Sequence, residues 1–296
     1  MPKLFGKKTP GEEQENISKI SSDKAKQLIK TLSGGEIRYT KKVVDNVIVF
    51  SNAQGGTGAS TLLANVAYVA STKNLRVLVI DLDVMNPIQH VYFGKEHDEI
   101  QPPDLMSFLT GKNTIGESIE NDGIVSLLCS NNRTLMDSMI AESDISVTNF
   151  TNAIQRLRQL FDLILIDCPM RIDHTLCNTA FYLADAVYLV WDEGISSITN
   201  TEKIRRNMAL SGVDVYTKMK IILNKRTNIH YNNYPFQKLN IELVQILPFE
   251  PDVIYSSLRS EIFCDKGASK SKNANIFYAG IISLTNAILE NGGYIE

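Results

Sequence analysis

Val44–Asn65 reads VDNVIVFSNAQGGTGASTLLAN, and its layout decides the fold. The run Val47–Phe50 is short, continuous and rich in branched residues, the pattern of a strand covered on both faces. Gly55, Gly56 and Gly58 then make a turn, and a helix is expected from about Ser60. Strand, glycine-rich turn and helix N-terminus together aim backbone N–H groups at one point, which suits an anion. The usual phosphate loop sets a lysine directly before the Ser/Thr, where it neutralises phosphate charge. Here that position is Ala59. The stretch predicts a phosphate cradle, Gln54–Thr61, that lacks its main cation.

The rest of the chain repeats the strand–helix alternation. Further strands are expected at Arg76–Asp81, Ile124–Cys129, Leu163–Asp167, Ala186–Val190, Lys220–Leu223 and Glu242–Leu247. Helices are expected at Thr61–Thr72, Val147–Leu160, Thr199–Ser211 and Ala274–Glu290, each with an apolar face at helical spacing. This order means an α/β fold, a doubly wound and mainly parallel sheet with helices on both faces. Ligands of such sheets bind beyond the carboxyl ends of the strands. Gln54–Thr61, Asp81, Asp83, Asp167 and Asn224 all fall at such ends. Residues 43–296 form this domain. Residues 1–42 read as a polar N-terminal extension with one short helix after Ser22-Asp23, and Gly267–Asn275 reads as a polar surface loop.

Bulk properties narrow the function. The 296 residues carry a net charge of −3, which gives no general pull toward nucleic acid. Cys129, Cys168, Cys177 and Cys264 show no C-x-x-C spacing, and His90, His97, His174 and His230 are scattered. Reduced cysteines and a cytoplasmic protein are expected, without a metal cluster. No apolar run is long enough to span a bilayer. Leu4 and Phe5 among Lys3, Lys7 and Lys8 offer a weak peripheral membrane contact through the extension, or a solvated tail.

Gln54-Gly55-Gly56-Thr57-Gly58-Ala59-Ser60-Thr61 resembles the deviant Walker A loop of the ParA/MinD family, K-G-G-x-G-K-[ST], with both lysines replaced. Four more segments resemble that family in order: Arg76–Asp83, ending Asp-Leu-Asp; Phe161–Pro169, like a Walker B strand; Ile221–Lys225; and Leu247–Ile254, like a purine loop with the helix after it. The resemblance implies ATP or ADP in the cradle, with Mg²⁺ on the Ser60 hydroxyl and Asp81 and Asp167 holding its water. Asp83 would orient attacking water, and Asn224 and the Pro248 loop would contact adenine. The residues alone also allow Ser60 as a helix cap and Asn224 as a turn residue. In the family, the lysine at the Gln54 position crosses a dimer interface. Arg171 could aim at the phosphates or pair with Asp173. Lys225 and Arg226 are expected near the base, away from the phosphates.

Losing one charged hydrogen bond of about 1.5–3 kcal/mol weakens binding roughly 10–150-fold. Losing a donor to the transition state costs about 10²–10³ in rate. Weak nucleotide binding without useful hydrolysis is therefore expected. The resemblance then implies a scaffold or positioning protein, akin to TadZ/CpaE-type localisation factors of pilus, secretion or conjugation machines. A homodimer and a protein partner, a machine component or a ParB-like protein, go with it. One alternative is an active ATPase for plasmid or chromosome partition, with DNA on Lys203, Arg205, Arg206, Lys218, Lys220 and Arg226. Another is a MinD-like membrane-associated factor, although the acidic, glycine-broken end at Leu289–Glu296 does not suit a C-terminal anchor.

Overall fold

The computed structural model describes residues 45–293 except 97–100, 122, 131–138, 171–173, 211, 213–214, 228–238 and 268–270. The expectations for residues 1–42 and for Arg171 with Asp173 lie outside the described residues. Seven strands form one sheet: β1 (Val47–Asn52), β2 (Val77–Asp81), β3 (Ser126–Leu128), β4 (Leu163–Cys168), β5 (Ala186–Trp191), β6 (Met219–Arg226) and β7 (Glu242–Pro248). Their order is β3-β2-β4-β1-β5-β6-β7, and every neighbouring pair is parallel.

Alternation along each strand divides the core into two layers. Val47, Val49, Leu78, Ile80, Ile164 and Ile166 pack with the Asp144–Leu160, Thr175–Leu183 and Ile195–Leu210 helices. Ile48, Phe50, Val77, Val79, Leu163 and Leu165 pack with the Ala59–Ser71 and Lys272–Asn291 helices. Both faces are thus covered, which is why the strands read as unbroken apolar runs. This is the doubly wound sheet that the sequence predicts. All four cysteines are free and buried. Among the described residues, no helix is long and apolar enough to cross a membrane.

Some boundaries differ from the sequence reading. The third strand keeps only three residues, and its Leu127 is bridged antiparallel by Glu120. The last helix begins at Lys272, inside the expected polar loop, because the Ser271 side chain accepts from the Ala274 N–H as an N-cap. Thr175–Leu183 adds a helix that the apolar spacing does not predict. Its first N–H groups are taken by Glu142, which also pairs with His174.

A polar knot at the amino ends of the strands sets the register of the centre. Arg158 donates through both Nη atoms to Asp185, at 2.6 and 3.0 Å. Asp185 accepts the Val47 N–H at 2.8 Å, and Asn46 donates to the Phe161 carbonyl at 2.9 Å. The knot ties β1, β4 and β5 to the Asp144–Leu160 helix, and the pair is mostly withdrawn from solvent. Asp185→Ala strands a partly buried guanidinium, so a loss of about 2–4 kcal/mol in urea unfolding is expected; a loss under ~0.5 kcal/mol would make the knot decorative.

Candidate functional site

The carboxyl ends of the strands meet around one cavity of about 400 Å³. Gly56, Gly58, Ala59, Ser60 and Thr61 line one end, and Asn224, Pro248, Phe249, Glu250, Val253 and Ile254 line the other. The Ala59–Ser71 helix starts from Gly58 with no side-chain cap. Its first N–H groups have no partner within the helix, and its dipole favours an anion there. Gly58 must be glycine on two counts. Its φ is +100°, and a Cβ would lie 2.7 Å from the Asn224 amide nitrogen.

The turn is held from inside. Asn52, the last residue of β1, accepts the Thr57 hydroxyl at 2.6 Å and the Ala59 N–H at 3.0 Å. Asn224 Nδ2 donates to the Thr57 carbonyl at 2.9 Å. Gln54 Nε2 donates to Asp192 Oδ2 at 3.1 Å, so this side chain is engaged within its own chain, beside the end of β5. Thr61 shares a 2.8 Å hydrogen bond with Tyr92.

Asp81 and Asp167 sit directly opposite each other on β2 and β4, and both are buried. Burial pushes the Asp81 carboxyl well above its ordinary range, and the neighbouring Asp167 charge adds to it. Burial likewise raises Asp167 to about 6, against the pull of hydrogen bonds from Gln89 and Ser60. Asp81 accepts the backbone N–H groups of Asp83, Ile88 and Gln89 at 2.8–3.0 Å. Gln89 Nε2 donates to Asp167 Oδ2 at 2.6 Å and to the Ser60 carbonyl at 3.1 Å. Asp83 is half-buried, and its Oδ1 accepts the Met85 and Asn86 N–H groups at 3.3 and 3.0 Å.

The structure therefore brings Gly55–Thr61, Asp81, Asp167, Asn224 and Pro248 to one edge of the sheet. Gln54 and Asp83 stand beside it, the one bonded to Asp192 and the other to the N–H groups of Met85 and Asn86. One expectation is corrected. Lys225 was expected beside the base, yet its Nζ donates to the Gly56 carbonyl at 2.5 Å, on the phosphate loop. The reason is local: Lys225 adopts φ +56°, and the β6–β7 register slips between Leu223 and Arg226. Sequence reading missed Asn52, Gln89, Tyr92 and Asp192, which no motif singles out. Asn52 alone carried a signal, as an amide at a strand end just before a tight turn.

A family model described as "AAA domain" matches residues 45–221. An uncharacterized ATP-binding protein of Methanocaldococcus jannaschii is 27% identical over 214 residues, covering 70% of this chain and 74% of the relative. The septum site-determining protein MinD of Bacillus subtilis is 25% identical over 223 residues, covering 72% and 80%. The solved structure of MinD complexed with Mg-ADP from Pyrococcus horikoshii aligns with a TM-score of 0.67 at 20% identity, covering 83% of this chain and 96% of that one. At that identity the last likeness shows the fold.

The acid pair makes stability depend on pH. Asp167 holds its proton more tightly folded than unfolded, so its contribution is full below about pH 4 and is lost as pH rises through about 6. Asp167→Asn removes that loss while keeping an acceptor for Gln89. The variant is expected to melt several degrees above the parent at pH 7.5, with the gain gone at pH 4. An equal gain at both pH values, in thermal melts followed by circular dichroism, would show that charge is not the cause.

Proposed function

The chain belongs to the AAA-domain family of ParA/MinD-type P-loop NTPases, and from that membership we propose a positioning protein that binds ATP or ADP weakly and does not turn it over usefully. The observation that carries the reading is the cavity at the carboxyl ends of the strands. It runs from the glycine loop to Asn224 and Pro248, within the size range of small-ligand sites. Phosphates would lie over Gly56–Thr61 and the helix N-terminus. The base would lie between Asn224 and the Pro248–Glu250 turn, with Val253, Ile254 and Phe277 as apolar wall. To admit a base edge, Asn224 exchanges its bond to the Thr57 carbonyl for one to the ring.

Weak affinity follows from the loop itself, because Gln54–Thr61 contains no charged side chain. Ala59 is fully buried, and its N–H is already held by Asn52. The donor set fits Mg²⁺ held by the Ser60 hydroxyl, with Asp167 behind it and Asp81 fixing the turn that carries Gln89. A bound ion would supply the charge neutralisation that the loop lacks. Hydrolysis needs more. Asp83 is committed to two backbone N–H groups, and Gln54 brings no charge to a partner's phosphates. Face-to-face pairing of two copies belongs to the active form of the family; here it would add little to catalysis.

This supports a scaffold role in placing a larger machine, of pilus, secretion or conjugation type, through a protein partner. Partition ATPase activity on DNA has less support. Of the six basic residues that could form a DNA face, Lys218 is bonded to the Tyr182 carbonyl and Lys220 pairs with Glu242. Lys203 and Arg206 are exposed beside the exposed Glu202.

Titration with a fluorescent ATP analogue is expected to show weak saturable binding that Mg²⁺ strengthens. Ser60→Ala should abolish the Mg²⁺ effect while leaving metal-free binding unchanged. Steady-state phosphate release should match that of Ser60→Ala. Release tenfold above that control would make the chain a working ATPase.

A further inference from the structure

The loop has no cation of its own, but the fold delivers one from a strand about 170 residues away. Lys225 occupies the left-handed region, uncommon for a residue with a Cβ. It does so where the β6–β7 pairing slips, just after Asn224 has bonded to the loop at Thr57. The side chain then lies along the turn. Its Nζ meets the Gly56 carbonyl at 2.5 Å, and its Cε passes within 3.9 Å of where a Cβ on Gly58 would stand. Lys225 lines the same cavity as Ser60 and Thr61. An ammonium has three donors, and the Gly56 carbonyl takes one.

We propose that Lys225 is the phosphate-binding cation of this site, which reaches the loop from β6 in place of a loop lysine. The proposal rests on the nucleotide reading above and names the residue that gives it charge. On binding, the ammonium turns from the Gly56 carbonyl to the phosphate oxygens, a stronger and charge-assisted partner. The one acid among the residues that line the cavity, Glu250, has its carboxylate engaged by the Asp252 N–H and the Ser271 hydroxyl. The ligand class this favours is a nucleoside di- or triphosphate. Adenosine, which offers no anion, gains nothing from Lys225.

The plain alternative is that Lys225 only ties β6 to the loop. Lys225→Met and Lys225→Arg separate the two when ATP and ADP are titrated calorimetrically and adenosine is followed by ligand-observed NMR. Lys225→Met should weaken ATP and ADP at least tenfold, leave adenosine unchanged, and flatten the salt dependence of ATP binding. Lys225→Arg should stay within about threefold of the parent. ATP should also shield Lys225 from an amine-acylating reagent, read by mass spectrometry. Adding Ala59→Lys to Lys225→Met should recover at least part of the lost ATP affinity. Unchanged ATP affinity in Lys225→Met, or equal losses for ATP and adenosine, overturns the proposal while the nucleotide site stands. A parent chain that binds neither ATP nor adenosine overturns the nucleotide reading itself.

Discussion

Two carboxylates buried side by side, Asp81 and Asp167, are the constraint on which the site depends. The parallel register of β2 and β4 leaves them no choice of neighbour. Burial and mutual repulsion oppose their ionisation, so each must be met by donors. Those donors build the wall of the site. Three backbone N–H groups fold the Asp83–Gln89 turn onto Asp81. The Gln89 amide bridges Asp167 to the Ser60 carbonyl, and so to the start of the helix that would face phosphate. A divalent cation and the Gln89 amide would answer the same need at Asp167, the one through charge and the other through an N–H donor. On the proposed reading, the stability of the empty protein and its affinity for a metal–nucleotide complex would be linked through one pair of residues.

The fold was legible in the sequence for a definite reason. Strands covered on both faces are mostly apolar at successive positions, and most of the seven appear as such runs. The exposed seventh, with Glu242 and Ile246 open to solvent, was still marked by its position before Pro248. Helices were visible where one face had to be apolar, as with Phe150, Ile154 and Leu157. The Thr175–Leu183 helix was not, because its start depends on Glu142, more than thirty residues earlier. The loop, Asp81, Asp167 and Asn224 were legible because each follows an apolar run. Gln89 and Asp192 were not, because each is defined by a partner distant in the chain. Lys225 was visible but misplaced. Nothing in I-I-L-N-K-R announces a left-handed residue inside a strand.

That misplaced residue changes how the site divides its labour. A lysine in the glycine loop belongs to the same turn as the N–H donors, so phosphate binding is local to that turn. Here the donors belong to the β1 turn and the cation to β6. Asn224 holds the Thr57 carbonyl and Lys225 the Gly56 carbonyl, so two consecutive residues span the base end and the phosphate end of one cavity. A nucleotide that claims Asn224 with its base and Lys225 with its phosphates would engage both residues that tie β6 to the loop. Such an arrangement couples base recognition to phosphate recognition. It also satisfies the loop within a single chain. Gln54 is bonded to Asp192 rather than extended outward, so the loop's own hydrogen bonding does not call for a second copy. Pairing of two copies, where it occurs, would then draw on surfaces outside the loop, such as the exposed Tyr255 and Leu258, which follow the cavity-lining Val253 and Ile254 on one helix.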